Sequence, residues 1–336
     1  MICIEEKLLV NVLYRPATEI LNGIDINDVN FENLIKLASG HLMLPALFFN
    51  IDKKKVSYLF PEDFIAYIKN IYAINKARNT VLLAEAKELS DLLYKNNIKH
   101  IFLKGTALLL SNVFEDIGER MIGDIDFIIQ HKDQEKIKKV LEKNNYCGNP
   151  YDNSRRFLIP KHLPRVVQKN KTIPIEPHLG LLKYRYGWIF NSKVLMHDFI
   201  KGLKTLKTPS KSFLFNHCIY NFQMNDAGFI ITKHSHRSIY DIYKLNCKSS
   251  LTIKNSTKDI CIKHFFLTIA KFKIFEIPIK ANFWNFYFEK LYIVVISNIY
   301  TRCLQILELF FSNTYRKYAL NKIINFFCYT KYLDDK

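Results

Sequence analysis

The segment Gly123-Asp-Ile-Asp-Phe-Ile-Ile129 constrains this chain's fold more than any other stretch. Side chains of a strand alternate between its two faces. Asp124 and Asp126 therefore share one face, and Ile125, Phe127 and Ile129 share the other. The apolar face calls for burial, while two adjacent carboxylates repel unless a positive charge lies between them. Exposed edge strands also carry D-x-D, so the spacing alone leaves both readings open. Paired hard oxygens suit Mg²⁺, which binds one or two protein carboxylates together with substrate phosphates. Two such ions ~3.5–4 Å apart can hold the attacking and leaving oxygens of an in-line displacement.

Upstream, His100-Ile-Phe-Leu103 is a short apolar run that leads directly into Lys104-Gly105-Thr106, after which Ala107 to Val113 have helical character. That is a strand, a tight turn and a helix start. Gly105 allows close backbone approach, the first amides of a helix attract phosphate oxygens, and the Thr106 hydroxyl can add a hydrogen bond. A Gly-Thr pair in isolation would read as an ordinary helix cap. Downstream, Ile173-Pro-Ile-Glu-Pro-His178 is a short strand in which Glu176 could join Asp124 and Asp126 on a metal and help deprotonate an attacking hydroxyl. The plainer alternative is a surface Glu between two prolines. His178 shares the face of Glu176 and reads more readily as a structural hydrogen-bonding group.

Around this centre the chain divides into a helical region over 1–75, an α/β core over 76–180 and a helical region over 181–336. Phe31–Phe49 is helical in pattern with Pro45 inside it. Pro61 opens the next helix, with Glu62 and Asp63 in its first turn as the helix dipole favours. Leu82, Leu83, Ala86, Leu89, Leu92 and Leu93 then form one stripe of a long helix running from about Phe64 to Lys95, which Asn96-Asn97 ends. Ile122–Gln130 reads as a strand and Asp133–Asn144 as a helix capped by Asp133. Shorter strands are expected at Arg156–Ile159, Arg165–Gln168 and Ile173–His178, and helices from Leu179 onward, with a polar break near Cys247–Lys258. The fold class expected is α+β: a small mixed sheet flanked by helical regions.

The net charge is +18, and residues 201–280 carry 14 Lys+Arg against 4 Asp+Glu. Such a region suits an anionic partner such as a polynucleotide; richness in Lys, Asn and Ile gives the same excess with no function attached. Seven scattered cysteines without a CxxC pair suggest reduced thiols and a cytoplasmic setting. His217-Cys218 and His234-Ser-His236 have no second ligand pair at zinc spacing, so zinc is not expected. The apolar stretch Phe283 to Phe311 is broken by Glu289, Lys290, Arg302 and Glu308, and reads as a buried amphipathic helix with no membrane span. A basic, aromatic C-terminal part that meets a membrane surface is a third reading.

The glycine turn, the D-x-D strand and the later strand acid together resemble the DNA polymerase beta-like nucleotidyltransferase superfamily, whose turn is usually Gly-Gly or Gly-Ser where this chain has Gly105-Thr106. More closely, the chain resembles the uncharacterised nucleotidyltransferase family. The resemblance rests on Leu34-Ile-Lys-Leu-Ala-Ser-Gly-His-Leu-Met-Leu-Pro-Ala-Leu-Phe48, Asn97-Ile-Lys-His-Ile-Phe-Leu-Lys-Gly105, Arg120-Met-Ile-Gly-Asp-Ile-Asp126, Ile175-Glu-Pro-His178, Asn216-His-Cys218 and Asp241. It implies a two-metal enzyme that moves an NMP, most often AMP from ATP, onto a hydroxyl or phosphate. Asp124, Asp126 and Glu176 would be the catalytic acids and ligands of two Mg²⁺ ions, with Mn²⁺ as the alternative ion. Gly105 and Thr106 would hold the NTP phosphates, with Lys104 and Arg120 as further contacts; for Arg120 a salt bridge to a site carboxylate competes. The acceptor is left open among a small molecule, a protein and RNA. The rival expectation is a catalytically silent protein of the same fold, regulatory or antitoxin-like.

Overall fold

Two prolines set the first boundaries. The computed structural model describes residues 2–148, 161–190, 195, 206–247, 259–276, 283–311, 316 and 320. Helix α1 spans Ile4–Tyr14, α2 Phe31–Gly40 and α3 Leu44–Lys53. Asn30 caps α2 by accepting a hydrogen bond from the Asn33 N–H. The apolar pattern over Phe31–Phe49 is thus two helices, and the chain bends by 117° between them. Pro45 fits the first turn of α3, where its missing N–H costs nothing, but it could not sit inside a longer helix. Leu42 takes the left-handed conformation at the bend, φ 57°. Helix α4 runs without interruption over Glu62–Lys95 and buries Leu82, Ala86, Leu89 and Leu93.

Strand β1 is His100–Phe102, α5 Lys104–Leu110, β2 Ile125–Ile129, α6 Gln134–Lys143, β3 Tyr146–Gly148, β4 Val166–Gln168 and β5 Ile175–His178. The sheet order is β1-β2-β5-β4-β3. Strand β2 pairs antiparallel with β1 and parallel with β5, while the β5–β4 and β4–β3 pairs are antiparallel. This is the mixed sheet of an α+β fold. All five residues of β2 are buried, so both faces of this central strand are covered. Asp133 stands at the N-cap of α6, but its side chain makes no capping hydrogen bond there. Strand β3 had no sequence signal, and the strand expected at 156–159 lies outside the described residues.

The tail contains α7 (Lys211–Tyr220), followed by a π-helical turn at Asn221–Asn225, then α8 (His236–Cys247), α9 (Ile260–Ile269) and α10 (Phe283–Phe311). Tyr240 and Asp241 dock α8 on the core. The Tyr240 hydroxyl donates to Glu119 at 2.7 Å and accepts from Asn50 at 2.9 Å, and Lys244 reaches Glu119 at 2.8 Å.

The burial expected for the last helix is overturned. Tyr287, Phe288, Ile299 and Phe310 are 56%, 59%, 54% and 72% exposed, and among the described side chains of α10 only Ile293 and Ser297 are buried. Its apolar residues go all the way round the helix, so packing one side leaves the rest bare. Tyr287–Phe310 is long and apolar enough to cross a membrane by length and composition.

Candidate active site

The parallel pairing of β2 with β5 places Asp126 opposite Glu176, in the register Ile125 to Ile175 and Phe127 to Pro177. Directly paired strand residues project from the same face, so the two acids meet. His178, two residues along β5, turns to the same side and is fully buried. Its Nε2 lies 2.7 Å from Asp126 Oδ1 and 3.0 Å from Glu176 Oε2. Asp124 stands at the entry to β2, where Oδ2 is 3.1 Å from Arg165 Nη2. The three acids expected from the sequence are therefore gathered on one side of one strand pair.

The glycine turn lies beside them. Lys104 has φ 49°, a left-handed conformation that costs a non-glycine residue about 1–2 kcal/mol. That backbone turns its ammonium into the acid cluster, 2.6 Å from Asp126 Oδ1 and 3.5 Å from Glu176 Oε2. At Gly105 a Cβ would come within 2.9 Å of the Ile122 side chain, so glycine lets the turn lie flat against the loop that leads into β2. The Thr106 hydroxyl is buried and donates to the Asp124 carbonyl oxygen at 3.3 Å, tying turn and strand together. Arg120 is engaged in a salt bridge, with Asp241 of α8 as its partner. The pair is bidentate, Nε to Oδ1 at 2.7 Å and Nη2 to Oδ2 at 2.9 Å, and a further Arg120 nitrogen donates to the Met121 carbonyl oxygen. From α4, Arg78 and Asn79 donate to backbone carbonyls of Gly123 and Arg120, which fixes the approach to β2.

A cavity of about 220 Å³ opens between this face of the sheet and the tail; Lys104, Asp124, Asp126, Lys161, Arg237 and Asp241 are among its walls. Lys161, Arg165 and Arg237 escaped the sequence reading because isolated basic residues in a basic chain carry no local signal. Burial and the neighbouring Asp126 charge raise the Asp124 carboxyl to a pKa of about 6. Burial also works to raise Asp126, but the Lys104 ammonium and the His178 hydrogen bond outweigh it and hold Asp126 well below the ordinary carboxylate range. Glu176 is lowered too: burial opposes the shift, and hydrogen bonding to His178 prevails. Burial and repulsion from Lys104 push the Lys161 amine down to about 8.

Ligand atoms of Asp126, Glu176 and His178 lie within 4.8 Å of one another; Asp124, paired with Arg165, is outside that group and lines the same cavity as Asp126. Two carboxylates in reach of one ion, with a third on the same cavity wall and the Lys104 ammonium drawn between the first two, fit a divalent cation. Hard oxygens outnumber the imidazole, which suits Mg²⁺ or Mn²⁺ better than zinc.

A mixed sheet that presents its strand acids to a cleft beside a glycine turn is the arrangement expected of a nucleotidyltransferase. Residues 27–254, well over half of the chain, match the family described as uncharacterised nucleotidyltransferase, and the chain belongs to that family. Membership supports nucleotidyl transfer as the general activity and an NTP as the substrate. No curated protein and no solved structure matches the chain.

Proposed function

We propose that the protein transfers a nucleoside monophosphate, AMP first among the candidates, from an NTP to a hydroxyl or phosphate oxygen of an acceptor, in a reaction dependent on Mg²⁺ or Mn²⁺. The carrying observation is the β2–β5 register, which sets Asp126 against Glu176 with Asp124 and the Lys104–Gly105 turn at the same cavity. Asp124, Asp126 and Glu176 would hold the ions, which when bound supply charge neutralisation at the α-phosphate. The acceptor oxygen forms a bond to the α-phosphorus, the bond from that phosphorus to the bridging oxygen breaks, and pyrophosphate leaves. With a hydroxyl acceptor, its proton passes to Glu176. Gly105 lets the phosphates approach the turn backbone, and Lys104 moves from the acids onto the triphosphate. Lys161 faces the same charge, and its lowered affinity for a proton marks a buried amine for which an anion is a favourable neighbour. Arg120 serves by pairing with Asp241, and Thr106 by fixing Asp124.

The test is incubation with α-labelled NTPs, Mg²⁺ and cell extract. Label should pass to an acceptor with the wild type and not with Asp124→Ala or Asp126→Ala; full transfer by the double variant refutes the assignment. The acceptor class follows from the labelled species. If RNA binds the basic stretch 201–280, its affinity falls steeply with salt.

One observation favours a silent, regulatory protein instead: Lys104 and His178 already satisfy Asp126 within the chain. A thermal shift separates the two. Stabilisation by an NTP only when Mg²⁺ is present supports the enzyme, and none with any NTP supports the silent protein.

A further inference from the structure

A second group of side chains, sharing no residue with the acid cluster, joins the N-terminal helices to the tail. His41 follows α2, His234 lies on the approach to α8, and His236 is the first residue of α8. A ring nitrogen of each lies within 4.8 Å of those of the other two. The His41 ring stacks on His234 at 5.8 Å and stands edge-on to His236 at 4.8 Å. Glu6 of α1 backs the group, with one carboxylate oxygen 2.8 Å from His234 Nε2 and 3.0 Å from His236 Nε2. Phe272 packs on both rings at 4.9 and 5.2 Å and keeps that side dry.

The hydrogen-bond pattern is informative. Glu6 sets one carboxylate oxygen against the Nε2 atoms of both His234 and His236. It therefore accepts, and His234 and His236 donate through Nε2–H. In a neutral imidazole the lone pair then sits on Nδ1. His236 Nδ1 is buried with no hydrogen-bond partner. A buried lone pair left alone is costly, and here it lies among two further imidazoles. Imidazoles whose other N–H is given to a carboxylate are the usual ligands of a metal site, the carboxylate fixing tautomer and ring orientation.

We propose that His41, His234 and His236 form a binding site for a divalent d-block cation, Zn²⁺ being the best fit, with Glu6 orienting two of the three ligands. Imidazole nitrogen suits such ions and not Mg²⁺, so this site and the carboxylate cluster select different metals. The ion ties α1 and α2 to the start of α8, the helix whose Asp241 pairs with Arg120 in the cleft. The α8 dipole opposes a cation at its N-terminus, and the Glu6 charge offsets that. The two sequence histidines lacked a third partner because His41 is 195 residues from His236.

The experiment uses the full chain. Purified protein dialysed against Mg²⁺ buffer should retain one Zn²⁺ per chain, and X-ray absorption at the zinc edge should show three imidazoles. His41→Ala and His234→Ala should abolish zinc retention while Asp126→Asn keeps it. Glu6→Gln, which leaves the ligands in place, should weaken zinc binding roughly 10–100-fold. Zinc lost on dialysis, with no thermal shift when it is restored, overturns the site. So does zinc that Asp126→Asn removes, or a wild-type spectrum with fewer than three imidazoles, a result that does not depend on any variant folding.

Discussion

The Arg120–Asp241 pair offers the sharpest test of how the tail is held on the core. Both side chains are nearly sealed from solvent, 9% and 6% exposed, and two parallel hydrogen bonds of 2.7 and 2.9 Å join them. Arg120→Met removes the cation, the bidentate bonds and the donor to Met121, and strands the Asp241 carboxylate beneath α8. Breaking a buried pair from one side costs about 3–5 kcal/mol. Arg237 lies close enough for the Asp241 charge to act on it, so the loss should fall toward the lower end of that range. At roughly 2–4 °C per kcal/mol for chains of 150–250 residues, and less for longer ones, the melting temperature should drop by no more than about 6–8 °C. Urea titration monitored by circular dichroism at pH 7 measures the free energy. The Arg120→Met/Asp241→Leu double variant should recover much of the loss, because no charge is then left buried. A single-variant loss below about 1 kcal/mol, or a double variant as unstable as the sum of the singles, refutes the reasoning.

Two further outcomes follow from the same site. Gly105→Ala puts a methyl against Ile122 at 2.9 Å and should cost about 1–3 kcal/mol; combined with Ile122→Ala, the loss measured by urea titration should be smaller than the two singles added together. Lys161 has a folded pKa of about 8, below its ordinary 10.5, so its burial penalty is fully present below pH 8 and is relieved as pH rises toward 10.5. Lys161→Met should therefore stabilise the ligand-free protein at pH 7 by on the order of 1–3 kcal/mol after allowance for solvent screening. That gain should shrink in melts between pH 8 and 10.5, while NTP affinity falls.

What could be read in the sequence was local. The run His100 to Thr106 gave strand, turn and helix because a change of apolar period and a glycine mark the turn within a few residues. Asp124, Asp126 and Glu176 could be singled out because acids inside apolar strands are costly without a purpose. Which partners they meet depended on β2 and β5 lying side by side, about 50 residues apart, and no local pattern encodes that. The same holds for Arg120, whose partner comes from α8, and for His41 beside His234 and His236. Thr106 shows the limit within a motif: a hydroxyl that could face a ligand instead ties the turn to Asp124, a choice set by packing. The misjudged exposure of α10 has another cause. An apolar helix matches a buried one in composition, and only the elements around it decide which it is.

Manganese binding followed by electron paramagnetic resonance tests the central claim most directly, because Mn²⁺ substitutes for Mg²⁺ at carboxylate sites and free ion is counted separately from bound. With an NTP present, the wild type should bind two Mn²⁺ per chain, and Asp126→Asn, folded as judged by circular dichroism, should lose that binding. Equal Mn²⁺ binding by the two proteins, or none by the wild type, would contradict the assignment of Asp124, Asp126 and Glu176 as a metal-holding cluster.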